Sequence, residues 1–293
     1  MKKIGLAIDE GADLTKEIIE KHQMAVVPFK VHWPPEVENL PGETIFHKMR
    51  EADKRGLKVF CKTSQPSPKD FLEPFKQELE KYEKIICITI TSKLSGTYNS
   101  AIQARSFLTP EQQKRVFVVD SLNAICADGL FVLKAIDLIE EQKEIEEIVK
   151  ELNEFTQKIH LIAIVKDPKW LEASGRISST LSNWIRKMAK IGIRPLIGIK
   201  KGVIKAIGIK TGVRDIPTAI FQELEAKTKK SRKRGKKIRV AIMHCLNIKG
   251  AQELKEMIEK ELPEIEIAFL SLIDTIIGSI VGPGSLGLAW CEI

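Results

Sequence analysis

A short segment rich in small hydroxyl side chains is the part of the sequence best suited to hold a ligand. Ser92-Lys-Leu-Ser-Gly-Thr-Tyr98 follows an apolar run typical of a β-strand, and Ser95, Gly96 and Thr97 stand where a helix would begin. The first amides of a helix have no intrahelical partner, and a glycine lets a ligand approach the backbone closely. The segment therefore predicts a site for an anionic group. The alternative is that Ser95 does no more than cap its own helix.

A second hydroxyl pair and several carboxylates follow other predicted strands. Thr63 and Ser64 precede two prolines, so a simple turn is the alternative for them. Asp9 and Glu10 come directly after the first apolar run, and Asp120 follows a later one. Because the ligands of open α/β sheets bind beyond the carboxyl ends of the strands, these residues define one candidate site.

The same residues leave an enzymatic alternative open. Ser95 would then be the nucleophile of a hydrolase or transferase, with Asp9 or Asp120 as its base. The Gly-x-Ser-x-Gly elbow and the phosphate loop Gly-x-x-x-x-Gly-Lys-Ser/Thr are both absent from the sequence. No residue is therefore assigned a catalytic role, and binding without catalysis is the favoured interpretation.

A glycine-rich segment near the end of the sequence, Gly282-Pro-Gly-Ser-Leu-Gly287, has the glycine order of a dinucleotide-binding loop. It does not open a helix after a clear strand, and no acidic residue follows at the required distance of ~20 residues. A loop whose backbone comes close to a ligand fits better, and it makes Gly282 and Gly284 candidate binding residues.

Composition excludes several classes of protein. The 293 residues are 43% hydrophobic and 29% charged, which is typical of a globular chain long enough for two domains. Five cysteines and five histidines are scattered without the spacing of a disulfide framework, a structural zinc site or a zinc protease. We therefore predict no metal site and no cofactor.

The net charge of +8 comes from one segment, residues 227–237, which holds eight Lys or Arg and no acid. The remainder of the chain is formally neutral. Such a run is typical of a solvated loop or helix end, and contact with an acidic partner or anionic lipid is the alternative. No aromatic residues are interleaved with it, so we predict no nucleic-acid partner.

The order of predicted elements indicates an α/β protein of two domains. Apolar strands alternate with helical patterns in the first half, which predicts a doubly wound parallel sheet. The second half carries a hairpin at Lys200-Lys-Gly202 and a further β-α-β unit, which predicts a mixed α/β domain. We place the boundary near residue 157, so residues 1–157 form the N-terminal domain and residues 158–293 the C-terminal domain.

Nothing in the sequence predicts a membrane or export segment. The chain begins without a charged and then apolar leader. Its longest uncharged stretch, residues 275–291, is shorter than the ~18 apolar residues of a membrane helix and contains Pro283. We expect a cytoplasmic protein with no integral membrane association.

Five motifs, taken in order, resemble the DegV family, whose members include the fatty-acid-binding subunits of bacterial fatty acid kinase. They are Thr63-Ser-Gln-Pro-Ser67, Ser92-Lys-Leu-Ser-Gly-Thr-Tyr98 with Ser100-Ala101, Asp120-Ser121, Gly175-Arg-Ile-Ser178 and Gly282-Pro-Gly284. Together they span nearly the whole chain. The resemblance implies two α/β domains that hold one long-chain fatty acid, of palmitate or oleate type, between them.

The resemblance also implies roles for particular residues. Thr63 and Ser95 would hold the carboxylate, and the other ligand-binding candidates are Ser64, Gly96, Thr97, Gly282 and Gly284. Arg176 would contact a kinase subunit that uses ATP to phosphorylate the fatty acid, with a solvated loop arginine as the alternative. The protein would itself be a carrier without catalysis. The apolar lining would come from the C-terminal domain, for example Ile191, Ile193, Leu196 and Ile199, for which ordinary core is the alternative.

The chain departs from the family pattern at two places. It reads Ile8-Asp-Glu10 where the family usually has Thr-Asp-Ser, and Ile280 and Val281 where it commonly has His-Thr. That histidine belongs to the polar network around the carboxylate, and an inward-pointing Glu10 would repel the ligand. Since each buried methylene contributes ~0.8 kcal/mol, the acyl tail should dominate affinity. Lipid binding should therefore survive these changes better than phosphorylation.

Overall fold

The computed structural model describes residues 2–213 and 215–293. Its strands are β1 (Lys2–Asp9), β2 (Ala25–Val27), β3 (Lys30–His32), β4 (Lys62–Ser64), β5 (Tyr82–Thr89), β6 (Val116–Asp120), β7 (His160–Ile164), β8 (Arg194–Lys200), β9 (Val203–Lys210), β10 (Ile238–His244), β11 (Glu266–Leu272) and β12 (Leu286–Glu292). Its α-helices are α1 (Lys16–Lys21), α2 (Pro35–Glu38), α3 (Ile45–Lys54), α4 (Pro68–Lys81), α5 (Thr97–Ser106), α6 (Pro110–Gln113), α7 (Cys126–Glu140), α8 (Ile145–Phe155), α9 (Lys169–Ala173), α10 (Ser179–Lys190), α11 (Ile216–Lys233), α12 (Ile248–Glu261) and α13 (Thr275–Val281).

The described residues form two compact units. The first unit comprises residues 2–30, 64–159 and 201–203. The second comprises residues 31–63, 160–200, 204–213 and 215–293. The segment with α2 and α3 thus belongs to the second unit although it precedes residue 157 in the chain. The roles that we assign to residues 1–157 and 158–293 stay predictions.

The first unit is built on a parallel sheet with the strand order β2-β1-β5-β6. Ile85, Ile86 and Cys87 of its central strand are completely buried, as expected for a sheet covered on both faces. The register pairs Ile8 with Ile88 and Thr89 with Asp120, so the ends of β1, β5 and β6 lie at one edge. The sequence prediction of a parallel α/β sheet is confirmed.

The second unit contains a mixed sheet with the strand order β11-β10-β12-β7-β8-β9. β12 runs antiparallel to both β10 and β7, while β11 is parallel to β10 and β8 is antiparallel to β7. Consequently the carboxyl ends of β7, β10 and β11 and the amino ends of β8 and β12 share one edge. The core includes Leu196, Ile242, Leu254 and Leu288, all completely buried.

The hairpin predicted around Lys200-Lys-Gly202 is present as β8 and β9, and Lys201 and Gly202 between them both have positive φ. Turns of this type match the right-handed twist of the flanking strands. The sequence patterns did not predict the central strand β12. Its residues Leu286–Cys291 are all buried, so they lack the alternation that marks a strand with one wet face.

The basic run 227–237 forms the last part of α11 and the turn that follows it, as predicted. Arg232 pairs with Glu264 at 2.6 Å, and Lys227 lies 3.6 Å from Glu223. Cations in the last turn of a helix also complement the negative end of its dipole. Among the described residues, no helix combines the length and the apolar character needed to cross a bilayer.

Candidate functional site

Two carboxylates, one buried and one half-buried, organise the strand-end loops of the first unit. Asp9 is completely buried; its Oδ1 accepts the N–H of Gly11 at 2.9 Å and its Oδ2 accepts the N–H of Ile90 at 2.8 Å. Asp120 accepts the N–H of Ser92 at 3.1 Å. Because these oxygens bind backbone amides, the two acids hold the loops in place and are not presented as bases.

The side chain of Glu10 has a hydrogen-bond partner in the backbone. Its Oε2 accepts the backbone N–H of Phe29 at 3.0 Å, and the side chain is half-buried. This oxygen of Glu10 is therefore occupied by a backbone amide within the first unit.

Asp128, in the first turn of α7, is a carboxyl that the sequence analysis did not single out. It is completely buried, and burial raises its pKa well above the usual range, with the negative charge of Asp9 adding to the effect. Burial and the charge of Asp9 thus both favour the protonated form of Asp128. No simple pattern in the sequence identifies it, because aspartate in a first helical turn is ordinarily a dipole partner.

Ser95 does not cap helix α5. The helix begins at Thr97 with Gly96 as its N-cap, and the Oγ of Ser95 lies 2.7 Å from the Oγ1 of Thr97. Ser95 does accept the N–H of Thr97, but at 3.4 Å the bond is long. The alternative that Ser95 caps this helix is therefore wrong, because the N-cap is the next residue, Gly96.

The loop with Ser64 and the loop with Ser95 are neighbours within the first unit. A Cβ on Gly96 would lie 2.1 Å from the Oε1 of Gln65, whose Nε2 donates to the Oγ of Ser100 at 3.2 Å. Glycine is thus required for Gln65 to lie against the start of α5. Ser64 is exposed and Ser95 partly exposed, whereas Thr97 is buried.

The second unit contains a cavity of about 320 Å³, which we call the Arg176 cavity. Its wall combines apolar, hydroxyl and basic side chains, and it is lined by Phe60, Cys61, Lys62, Thr63, Trp170, Ala173, Ser174, Arg176, Ser279 and Ile280. Phe60 and Trp170 stack edge to face with their ring centroids 5.3 Å apart. Such a contact gives the cavity a stiff aromatic wall.

Arg176 and Thr63, predicted for different roles, meet in this cavity. Nη1 of Arg176 donates to the backbone carbonyl of Ser174 at 2.8 Å, and Nη2 donates to the Oγ1 of Thr63 at 3.4 Å. Burial lowers the pKa of the guanidinium, which still stays charged. Within the described parts of the chain, no carboxylate pairs with Arg176. The cavity therefore holds a partly desolvated cation beside a hydroxyl, which suits an incoming carboxylate.

The lining of the cavity also includes a thiol and a hydroxyl. The Sγ of Cys61 lies 2.8 Å from the Oγ of Ser279, which also donates to the carbonyl of Ile276 at 2.6 Å. Burial raises the pKa of the Cys61 thiol. Ile280 lines the same cavity, so the residue that replaces the usual histidine presents a hydrocarbon there.

The two glycines of the Gly-Pro-Gly loop have positive φ, and side chains of the protein lie against them. A Cβ on Gly282 would be 2.2 Å from Trp170, and one on Gly284 would be 2.6 Å from Lys166. Their N–H groups already donate, to Gly278 at 2.8 Å and to Cys245 at 2.6 Å. The close approach predicted for a ligand is thus made by Trp170 and Lys166.

The apolar candidates from the sequence separate into different environments. Leu196 is completely buried in the core of the second unit, so the core alternative is right for it. Ile191 is 66% exposed at the end of α10, and Ile193 lines a different cavity.

Comparison with known proteins decides the family. A family model described as "Uncharacterised protein, DegV family" matches residues 3–292. The chain belongs to the DegV family. A DegV relative from Thermotoga maritima, named a fatty acid-binding protein, is 30% identical over 97% of this chain and 96% of its own length. Protein DegV of Bacillus subtilis is 28% identical over 98% of this chain and 99% of its own length.

A solved DegV structure has the same fold. The structure described as fatty acid binding of a DegV family protein from Thermus thermophilus has a TM-score of 0.81 and 26% identity, and the match covers 99% of this chain and 100% of that one. The resemblance to the DegV family that we drew from five motifs is therefore confirmed.

Proposed function

We propose that this DegV protein binds one long-chain fatty acid and does not itself catalyse a reaction on it. The names of its relatives support the ligand class. In the chain itself, the observation that carries the proposal is the half-buried guanidinium of Arg176, without a carboxylate partner among the described residues, beside the hydroxyl of Thr63. A carboxylate would accept from both groups, and charge-assisted bonds of this kind contribute about 1.5–3 kcal/mol each.

The apolar wall of the Arg176 cavity suits the start of an acyl chain. Phe60, Trp170 and Ile280 offer hydrocarbon next to the guanidinium. A volume of about 320 Å³ is at the small end of ligand sites. We therefore propose that this cavity holds the carboxylate and the first methylenes.

Ile280 fits this proposal better than the sequence alone suggested. The missing histidine would remove one polar partner of the carboxylate, but the guanidinium of Arg176 in the same cavity supplies a full positive charge. Loss of the histidine should then shift the ligand's orientation more than its affinity.

The remaining candidate residues stay part of the proposal as separate contributions of each unit. In the first unit, Ser64, Ser95, Gly96 and Thr97 would offer hydroxyl and backbone groups from two neighbouring loops. In the second unit, Gly282 and Gly284 would act indirectly, since they allow Trp170 and Lys166 to pack where they do. No observation among the described residues favours the serine-enzyme alternative, because Ser95 bonds Thr97 and no carboxylate.

A finer step of the proposal concerns a partner. We propose that the bound carboxylate is presented to a fatty acid kinase subunit, which would use ATP to form the acyl phosphate. Arg176→Gln separates its two roles when binding and phosphorylation are both measured. Intact fatty-acid binding with lost phosphorylation would make Arg176 a partner contact, whereas loss of both would make it a ligand contact.

We propose that the protein is cytoplasmic. None of its five cysteines, four of which are buried, forms a disulfide. Cysteines without disulfides are typical of proteins in a reducing compartment.

Titration of the delipidated protein with palmitate tests the proposal. Wild type should bind close to one equivalent, and Arg176→Gln should weaken binding at least tenfold, since a tenfold change corresponds to ~1.4 kcal/mol. Arg234→Gln, an exposed change at the end of α11, is the matched control and should bind like wild type. Absence of palmitate binding by folded wild type would refute the proposed function.

A further inference from the structure

A second cavity lies at the edge of the mixed sheet where ligands of α/β proteins are expected. It follows the carboxyl ends of β7 and β10 and precedes β8 and β12, and its volume is about 510 Å³. We call it the Arg50 cavity. Open α/β sheets bind ligands beyond the carboxyl ends of their parallel strands, and this volume is within the usual range for ligand sites.

Positive charge dominates the wall of the Arg50 cavity. Four cationic side chains line it, and they are Arg50, Lys166, Arg194 and Lys249. Two carboxylates also line it, those of Asp215 and Glu253. The formal charge of the lining is therefore positive. It lies outside the basic run 227–237, so the net charge of the chain gave no indication of it.

Both carboxylates already have partners in the protein. Asp215 is the N-cap of α11, and its Oδ1 accepts the N–H of Thr218 at 2.8 Å. Glu253 lies one helical turn after Lys249 on α12, with 4.0 Å between the charged atoms. The charge of Asp215 is thus used at a helix start, and Glu253 offsets one lysine at most.

Arg50 and Lys166 keep their charge available for a ligand. Nη2 of Arg50 donates to the backbone carbonyl of Leu246 at 3.3 Å, which fixes the guanidinium against the loop after β10. Neither Arg50 nor Lys166 forms an ion pair with a described residue. Arg50 is half-buried and Lys166 exposed. A partly buried cation without a counter-charge attracts an anion more strongly than a solvated one.

The backbone at the start of α12 adds to this attraction. Asn247 is the N-cap, yet its side chain forms no capping bond and instead donates to the carbonyl of Gly284 at 3.3 Å. The first amides of this 14-residue helix thus have no capping side chain, and Lys249 and Gly250 of its first turn line the cavity. A helix dipole and uncapped amides favour an oxyanion, and here they act together with the four cations.

We propose that the Arg50 cavity binds a phosphate-bearing small molecule. A phosphate group carries close to two negative charges near neutral pH and offers several acceptor oxygens, which suits planar arginine forks and backbone amides. The apolar part of the wall, including Ile164, Ile193 and Pro217, would contact the body of the molecule. This site goes beyond the proposed fatty-acid function and uses none of the residues that line the Arg176 cavity.

Calorimetric titration of the full chain tests the site with three probes: ADP, inorganic phosphate and adenosine. We expect ADP to bind with a Kd below about 1 mM and adenosine at least tenfold more weakly, since charge neutralisation supplies most of the affinity. Binding by inorganic phosphate as tight as by ADP would identify free phosphate as the source of the recognised group. Weaker binding of inorganic phosphate than of ADP would indicate that the site recognises a phosphate attached to an organic molecule.

Two variants and one control connect the binding to this cavity. Arg50→Gln should weaken ADP or phosphate binding at least tenfold, and Lys166→Gln, at an exposed position, should weaken it severalfold. Lys205→Gln, an exposed change on β9 outside the cavity, should bind like wild type. Palmitate binding measured on the same samples reports the fatty-acid function independently. Absence of binding by ADP and phosphate alike, equal binding of adenosine, or unchanged affinity in both variants would overturn the proposal.

Discussion

Arg176 and Thr63 carry most of the chemistry of the proposed site at the scale of single residues. They are 113 residues apart in the sequence, and the Nη2 and Oγ1 atoms meet at 3.4 Å. The motif around each residue could be recognised in the sequence, but their contact could not, because it depends on where α9 and β4 come together. The family resemblance implied a partner contact for Arg176, whereas in the structure Arg176 lines a cavity.

Thr63→Val tests the hydroxyl without changing the shape of the side chain. We expect palmitate affinity to fall about tenfold, because one bond to a charged group is lost while the acyl contacts remain. Thr211→Val changes an exposed threonine in a loop and is the matched control. Equal affinity in Thr63→Val and wild type would remove Thr63 from the site.

The rate of chemical labelling at Cys61 reports on the same cavity. It is the one cysteine that is not buried, and burial of its surroundings raises the pKa of its thiol. Since the thiolate is the reactive form, the rate of maleimide labelling should rise about tenfold per pH unit and continue to rise beyond pH 9. Saturating palmitate should slow the labelling, and Cys61→Ser should abolish it. Labelling that ignores palmitate would place the ligand elsewhere.

Asp128 should affect stability in the direction set by its raised pKa. A carboxyl whose pKa is higher in the folded protein stabilises it at low pH, and that contribution is lost as pH rises toward the folded value. Asp128→Asn keeps the shape and removes the titration. The variant should therefore gain melting temperature relative to wild type as pH is raised from 5 to about 9. A constant difference across that range would show that the pKa of Asp128 is not raised in the folded protein.

At the scale of elements, the start of a helix next to a site loop is easiest to locate in the sequence where a polar residue caps it. Helix α4 begins at Pro68 because Ser67 and Asp70 form a reciprocal capping box with Pro68 in the first turn. Helix α5 begins later than expected because its cap is a glycine without a side-chain bond. Strand β12 was missed since full burial of its residues removes the alternating pattern that reveals a strand.

Asp70→Asn tests the start of α4, the helix that follows the Thr63 loop. Bonds from Lys30 and Ser67 lower the pKa of Asp70 to about 2. We expect the variant to lose about 1 kcal/mol of unfolding free energy at pH 7, as for other caps. A lowered pKa stabilises the fold above the ordinary value of the group, so the deficit should vanish as pH falls from about 4 to 2. Glu73→Gln, on the exposed side of α4, should stay near wild type at both pH values.

At the scale of the whole molecule, the fold class and the family could be predicted from the sequence more fully than the arrangement of the site. Apolar strands and helical patterns predicted the parallel sheet and a mixed α/β domain, because runs of apolar residues and helical spacing mark buried strands and helices in the sequence. Residues 31–63 were assigned to the N-terminal half, yet they pack in the second unit. The sequence of this segment contains no information about which of the two units its helices α2 and α3 join.

The affinity for a fatty acid should depend more on burial of the whole acyl chain than on any single residue that binds the carboxylate. Burial of about fifteen methylenes at ~0.8 kcal/mol each gives roughly 12 kcal/mol before the costs of binding, against about 1.5–3 kcal/mol for each charged hydrogen bond. Single substitutions in the Arg176 cavity should therefore weaken binding without abolishing it.

Identification of the molecule that the protein carries tests the central claim most directly. The protein is purified from a bacterial host, denatured, and its released lipids are measured by mass spectrometry and compared with the amount of chain. The account predicts a long-chain fatty acid at close to one per chain. A preparation that releases none, and takes up neither palmitate nor oleate when they are supplied, would contradict it.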